Sequence, residues 1–307
     1  QIRQVCLAEF SSSFFGKVKK YKDLLAESGG RKAVASISMC YSADFINLCC
    51  RRYAFICSSV RGNLVNIYKM DYGIAGLPFA ILHLISLMGF DRVVAMSFPM
   101  AEQINFFCRK MPSVIGNFVD EAQLIKYKKK VTGKKRKATR FVFVGSISSR
   151  KKPLLLVQTI KKIHDEGVDI HLDLIGDGPL MEHIANEISS LNLHDLVTIH
   201  GQLTNPYPVI SKADVFVLPS LSEGTSRASL EALFIGLPCV LREVDGNSEL
   251  IENGRNGILF EKDSDLYLAM LSALKLVSTQ IDNSKFLPPF FRQKDSSHKY
   301  LKLVEVD

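Results

Sequence analysis

The run Val215-Phe-Val-Leu-Pro-Ser-Leu-Ser-Glu-Gly-Thr-Ser-Arg-Ala-Ser-Leu-Glu-Ala-Leu233 holds a strand, a tight loop and a helix start in sequence. Four consecutive apolar residues, Val215 to Leu218, predict a strand buried on both faces. Gly224 allows a tight backbone, and Ser226 is placed to cap the helix that follows. The amides of Gly224, Thr225 and Ser226 then point out of the helix start, where partial positive charge attracts phosphates and polar oxygens. Glu223 stands at the mouth of this turn, and Glu231 lies eight residues on, within the helix. Eight residues of helix span about 12 Å. That exceeds the roughly 10 Å limit of a paired acid and base. It suits two hydroxyl-rich groups at opposite ends of one extended ligand.

Working outward, short β-branched runs alternate with helical patterns. The expected strands are 33–37, 54–58, 92–96 and 113–115 in the first half. In the second half they are 141–144, 171–175, 197–200, 215–218, 239–241 and 258–260. Helical patterns fall between them, such as 43–51, 101–109, 154–164 and 229–234, and a last helix is expected over 297–306. This alternation predicts parallel sheets covered on both faces, an α/β fold. Ligands of such sheets bind beyond the carboxyl ends of the strands. That directs attention to Gly145, Gly176, Pro219 and Glu243 and the residues after each.

The chain has 307 residues, 47% of them apolar and 23% charged, which excludes a disordered, collagenous or disulfide-scaffold chain. Length predicts two domains. The net charge is +8, and its source is local. Lys126, Lys128, Lys129, Lys130, Lys134, Lys135, Arg136, Lys137 and Arg140 lie together with no acid among them, and the remaining charges nearly balance. We place the domain boundary at this run: 1–125 as the first domain, 126–140 as a basic linker, 141–280 as the second domain and 281–307 as a tail ending in a helix. The linker reads as a solvated connector or as a surface drawn to an anionic membrane. Nucleic-acid binding is not expected, since Tyr127 is its only aromatic residue. The seven cysteines form no C-x-x-C pair and read as buried thiols. The longest apolar stretch, 76–90, contains His83 and is shorter than the roughly 20 residues of a spanning helix. It reads as a buried or membrane-facing surface helix. The chain does not begin with Met, so no leader is read from its start.

Glu223 and Glu231 in their turn resemble the E-x7-E motif of the retaining glycosyltransferases of family 4, which have the GT-B fold. Further segments in the family's order carry the same resemblance. Val144-Gly-Ser-Ile-Ser-Ser-Arg-Lys-Lys-Pro153 is similar to V-G-R-L-x-x-x-K, and Leu174-Ile-Gly-Asp-Gly-Pro179 to the G-x-G-P turn. Gly236-Leu-Pro-Cys-Val240, Asp245-Gly-Asn-Ser-Glu-Leu-Ile251 and Asn253-Gly-Arg-Asn-Gly-Ile-Leu259 resemble its later loops. Val114-Ile-Gly-Asn-Phe-Val-Asp120 resembles I-x-N-G-V-D.

The resemblance implies two Rossmann-like, doubly wound domains facing a cleft, the first on the acceptor side and lacking its opening strand and glycine-rich loop, the second holding the nucleotide-sugar donor. It implies that Glu231 binds the ribose hydroxyls of a nucleotide sugar. Glu223 then faces the donor sugar beside the Gly224, Thr225 and Ser226 amides, and Lys151 neutralises the diphosphate leaving group. Gly145 and Ser146 line the donor, and Asp177, Gly178 and Pro179 lie near the nucleoside. The family usually has Arg where this chain has Ser146, and Arg150 is the candidate replacement. Arg61, after the strand at 54–58, stands where the family often has His. An Arg is no general base, so it would bind the donor phosphate or an anionic acceptor.

The expected activity is retaining sugar transfer from a nucleotide diphosphate sugar to a glycan or lipid-linked glycan, with no metal or other cofactor. Its setting would be bacterial O-antigen, capsule or other surface polysaccharide synthesis, in the cytoplasm at the inner face of the membrane. Rival expectations are a GT-B epimerase or phosphorylase and a non-catalytic nucleotide-sugar-binding protein. Asp263-Ser-Asp265 reads as a helix cap rather than a metal site. His164, His183, His194 and His200 show no metal-ligand spacing.

Overall fold

The computed structural model describes residues 13–129, 138–278 and 283–304. All ten expected strands are present, most of them shifted at an end by one or two residues. The chain divides into two compact units, one running to Gly116 and resuming at Ser297, the other Asn117–Ser296.

The first unit opens with α1 (Phe14–Glu27), which the sequence reading did not anticipate. Next come β1 (Ala35–Ser38), α2 (Tyr41–Cys49), β2 (Phe55–Val60), α3 (Leu64–Tyr72) and α4 (Gly76–Ser86). It continues with β3 (Arg92–Ala95), α5 (Phe98–Cys108) and β4 (Ser113–Val114). The four strands form one parallel sheet in the order β1-β2-β3-β4. Ile56, Val93, Leu84, Met100 and Ile104 lie in its core.

The second unit begins with the short α6 (Glu121–Leu124), then β5 (Thr139–Val144), α7 (Pro153–Asp165), β6 (Ile170–Ile175), α8 (Met181–Ser190) and β7 (Val197–Gly201). It goes on through α9 (Tyr207–Ile210), β8 (Val215–Leu218), α10 (Arg227–Ile235), β9 (Cys239–Arg242), β10 (Gly257–Phe260) and α11 (Leu266–Ser278). α12 (Gln293–Val304) ends the described chain. The six strands are parallel, in the order β10-β9-β8-β5-β6-β7. Phe141, Phe143 and Phe216, fully buried, fill the layers on its two faces, as continuous apolar strands require.

The compact units divide at Gly116, earlier than the expected boundary at 125, because Val119 and Leu124 are buried in the second core. The expected linker is shortened at both ends. Lys129 donates to Asp214 at 2.8 Å, and Arg140 sits within β5 with a bidentate grip on the buried Asp173 at 2.8 and 2.9 Å. These cations have partners in the second unit, so they fold with it rather than repel one another. Residues 130–137, the middle of the basic run, lie outside the described residues. The tail does not stand apart either: Phe286, Leu287 and Phe291 are buried in the second core. In the first unit, Tyr300 and Leu303 pack on Cys57, Val94 and Ile115, and Tyr300 shares a 2.8 Å hydrogen bond with Ser59. The described cysteines are free, four of them buried, with Cys40 and Cys49 exposed; Cys6 lies outside the described residues.

The carboxyl ends of β5 and β6 meet closely at Gly176, whose φ is +140° and where a Cβ would lie 1.8 Å from the Gly145 carbonyl oxygen. Gly176→Ala should therefore cost about 2 kcal/mol or more. The expected reading is a midpoint roughly 4 °C or more lower in thermal melts. A melt unchanged from wild type would refute this account of the turn.

Candidate functional site

In the second unit the chain winds outward from β5 through β6 to β7, and from β8 through β9 to β10 on the other side. β5 and β8 are neighbours, paired at Phe141–Val215 and Val142–Phe216. The order reverses between them, so the loops leaving these two strands diverge and open a crevice beyond their carboxyl ends. Four loops from adjacent strands gather there.

The loop after β5 is knitted to the loop after β6. Gly145 donates to the Ile175 carbonyl at 3.0 Å, Ile147 to the Asp177 carbonyl at 2.9 Å and Leu180 to the Ile147 carbonyl at 3.0 Å. Asp177 accepts from the Gly178 amide at 2.7 Å, and the Ser146 and Ser148 hydroxyls are 3.1 Å apart. The loop then tightens into a single turn over Ser149–Lys151, and Pro153 opens α7. The loop after β8 joins at this turn. Leu221 donates to the Arg150 carbonyl at 2.9 Å, and the Arg150 guanidinium donates to the Ser222 carbonyl at 2.7 Å.

This knitting brings Lys151 and Glu223 into a direct ion pair, with both side chains about nine-tenths buried. Arg150 stands 3.7 Å from the same carboxylate oxygen. Burial pushes the Lys151 ammonium below its ordinary pKa, while the Glu223 charge and hydrogen bond oppose the shift. Gly224 and Thr225 complete the turn, whose Thr225 carbonyl accepts from the buried Asn117 at 3.2 Å. Ser226 caps α10 as the sequence predicted, accepting from the Ser229 amide at 3.2 Å. The Pro179 turn leads into α8 through Leu180.

Glu231 is buried on α10, within the same unit. Tyr207 donates to its Oε1 at 3.2 Å and Arg227 to the same oxygen at 3.3 Å. Oε2 has no protein hydrogen bond among the described residues. Burial raises the Glu231 pKa above its ordinary 4.5, and the two donors work against that rise. Burial and the Glu231 charge also raise Tyr207, which keeps its hydroxyl protonated as a donor.

Three residues that hold the site had no role assigned from sequence, although Asn117 and Asp245 lie in segments that carry the resemblance. Tyr207 and Asn117 reach it from distant parts of the chain. Asp245, in the loop after β9, accepts from the Ser222 hydroxyl at 2.8 Å and from the Glu223 amide at 2.9 Å. Its φ is +48°, a left-handed conformation seldom adopted by residues with side chains. The visible signal is the Asp245-Gly246 pair, a turn signature. Arg61 belongs to the first unit, follows β2 and is exposed there. Asp263 pairs with Arg242 and Lys152, and Asp265 accepts from the Lys262 amide at 2.9 Å ahead of α11, which agrees with capping. No cluster of three or more metal-ligating side chains occurs among the described residues.

Residues 138–276, which contain all four loops, match the family model for glycosyl transferases group 1. Relatives include the UDP-Gal:alpha-D-GlcNAc-diphosphoundecaprenol alpha-1,3-galactosyltransferase of Escherichia coli, 34% identical over 148 residues, or 47% of this chain and 38% of that protein. The O-antigen biosynthesis glycosyltransferase WbnH of Escherichia coli is 34% identical over 127 residues, 41% of this chain and 34% of that protein. The chain spans under two fifths of the length of the first curated relatives it matches. The structure of Anabaena HepE with UDP and glucose matches at a TM-score of 0.75 and 15% identity, covering 100% of this chain and 84% of that one. The lipopolysaccharide outer core galactosyltransferase WaaB matches at 0.68 and 19%, covering 94% and 80%. The fold of the chain is that of GT-B glycosyltransferases.

Asp245 separates backbone strain from side-chain function in the second unit. Both Asp245→Gly and Asp245→Ala lose the hydrogen bonds to Ser222 and Glu223, but only the Gly variant also relieves the positive φ, so Asp245→Ala should be roughly 1 kcal/mol less stable than the Gly variant. Equal midpoints for the two variants would contradict the strained geometry.

Proposed function

We propose that the protein transfers a sugar, with retention and without a metal, from a nucleoside diphosphate sugar to a glycan or lipid-linked glycan acceptor. The observation that carries this reading is the buried Lys151–Glu223 pair at the switch point of the second sheet, with Glu231 on the helix leading away from it. The free Oε2 of Glu231 accepts from a ribose hydroxyl. Lys151 and Arg150, with the amides of Gly224 to Ser226, take the diphosphate. Gly145 and Ser146 close over it, and Asp177, Gly178 and Pro179 border the nucleoside. Glu223 faces the sugar.

In the reaction, the bond from the anomeric carbon to the diphosphate oxygen breaks as positive charge develops on the sugar. The acceptor oxygen bonds to that carbon from the same face, and its proton passes to the departing phosphate oxygen. Lys151 stabilises the negative charge that forms on the leaving group, while Glu223 stabilises the cationic sugar. Fixed charges aimed at developing charge contribute several kcal/mol of barrier lowering. The names of the relatives support the acceptor class, since one acts on a diphosphoundecaprenol-linked sugar and another in O-antigen biosynthesis. Bacterial surface polysaccharide assembly at the inner face of the membrane follows as the setting. The basic run from Lys126 to Arg140 would add attraction to anionic lipid there.

Glu223→Ala is expected to lower kcat by roughly 100-fold or more with little change in donor affinity. Glu231→Ala should weaken nucleotide binding about tenfold, since a hydrogen bond to a charged group is worth about 1.5–3 kcal/mol. Small, equal effects of both on transfer would refute the assigned roles, and loss of turnover on adding a chelator would refute metal independence. The pH dependence has a definite sign. Glu231 must be ionised to accept ribose hydroxyls, and its pKa lies above 4.5. Nucleotide affinity, read by calorimetry, should fall as pH drops through that raised value, and Glu231→Gln should flatten the profile.

A further inference from the structure

The residues 64–89 are long and apolar enough, by length and composition, to cross a membrane. They are folded back on themselves instead. A straight helix would hold Tyr68 and His83 roughly 22 Å apart, yet the Tyr68 hydroxyl lies 3.3 Å from His83 Nδ1. The chain reverses at Gly73, with φ +64°, and Gly76 lets α4 pack directly on α3, since a Cβ there would fall 2.1 Å from the Tyr68 carbonyl oxygen. The hairpin keeps one exposed stripe along α4 and its flanks: Ile74, Phe79, Ile81, Leu82, Ile85 and Met88. No charged residue occurs from Gly73 to Phe90.

Beneath this hairpin, within the first unit, lies a cavity of about 570 Å³, inside the roughly 300–1,000 Å³ range of small-molecule sites. Its walls are mainly apolar and aromatic, with Tyr41, Val60, Leu64, Ile67, Tyr68 and Phe79. The polar groups at its floor satisfy one another. Asp44 accepts from Ser38 at 2.5 Å and is bound to His83 Nε2 at 2.8 Å, and all three side chains are buried. Asp71, the second carboxylate on the lining, stands two turns along α3 from Leu64. Arg61, at the carboxyl end of β2, also lines the cavity, is exposed, and has no ion pair among the described residues. An apolar chamber with one unpartnered guanidinium fits an amphiphile with a long hydrocarbon tail and an anionic head. Phe79 both lines the chamber and belongs to the exposed stripe, so the tail has a continuous apolar path out of it.

We infer that this cavity binds the lipid end of the acceptor, a prenyl diphosphate, with the diphosphate on Arg61 and the first isoprene units against Tyr41, Ile67, Tyr68 and Phe79. The inference rests on the transfer reading for its acceptor class, and it assigns the part of the first unit that recognises the lipid rather than the sugar. The chain contains no tryptophan, so Phe79→Trp places a single fluorophore on the wall. Farnesyl diphosphate should shift its emission to the blue and saturate it, binding at least tenfold tighter than inorganic diphosphate or farnesol. Arg61→Ala, in the Phe79→Trp background, should weaken farnesyl diphosphate at least tenfold and leave farnesol unchanged. The wild-type chain should give the same order of ligands in thermal shift, which guards against a perturbing indole. No saturable response in either measurement overturns the site. Inorganic diphosphate matching farnesyl diphosphate, or no effect of Arg61→Ala, overturns the pairing of charged head with apolar tail. Nucleotide-sugar stabilisation is read in the same thermal shift. If it persists while farnesyl diphosphate fails, this inference alone falls; if it is lost while farnesyl diphosphate binds, the transfer reading falls and the prenyl diphosphate site stands.

Discussion

A buried lysine and a buried glutamate face each other where β5 and β8 part, and neither is tolerable there alone. Removing one charge from water in a protein interior costs several kcal/mol, repaid only by a well-placed partner. Lys151 and Glu223 supply that partner to each other, but only if the loops that carry them hold register. The rest of the second unit meets this requirement. The Leu221 amide is tied to the Arg150 carbonyl, and the Ser222 carbonyl to the Arg150 guanidinium. Buried Arg242, at the end of β9, supports the same loop from below through the Pro219 carbonyl at 3.3 Å. The strand order sets where the pair forms, and the loop hydrogen bonds set how closely it is held.

The first unit manages buried polarity differently. Asp44, Ser38, Asn47 and His83 form a connected group in which the Asn47 amide donates to the Ser36 carbonyl at 3.2 Å and to the Ser38 hydroxyl at 3.1 Å, while the buried Asn47 Oδ1 has no partner among the described residues. Connected groups of this kind fix a core. At its surface the unit presents the Arg61 guanidinium and the apolar stripe of the α3–α4 hairpin. The two units thus divide the chemistry: charge is concentrated in the second, hydrocarbon contact in the first.

The sequence made the strands legible because each is a short apolar run between turn residues, and Phe141-Val-Phe-Val144 fits only a buried strand. The Ser226 cap and the gathering of the Gly145, Gly176 and Pro219 loops were legible for the same reason, since turns and caps are local. The unit boundary was not. Like charges from Lys126 to Arg140 suggested a linker, but Asp173 and Asp214, both distant in sequence, neutralise Arg140 and Lys129 and draw them into the fold. Nor was α1 anticipated, because its face against the core rests on few residues, of which only Val18 and Leu25 are buried. The hydrophobic run at 76–90 showed its length but not its partner, which is α3, brought against it by the reversal at Gly73 so that Tyr68 meets His83. Long-range pairs decide these features, and a sequence pattern carries no record of them.

The backbone at Asp245 shows how a site of this kind is kept in tension. A residue at φ +48° costs on the order of 1 kcal/mol that glycine would not. The carboxylate returns this by binding the Ser222 hydroxyl and the Glu223 amide at once, which fixes the peptide ahead of the Glu223 side chain. With Asp245 and Glu223 on one side and Lys151 and Arg150 on the other, the unliganded charges balance. In the proposed reaction an arriving diphosphate meets two cations, while the sugar it carries meets the Glu223 carboxylate. Charge separation on the donor then runs along a field that the fold has set in advance, so little reorganisation remains for the bond-breaking step.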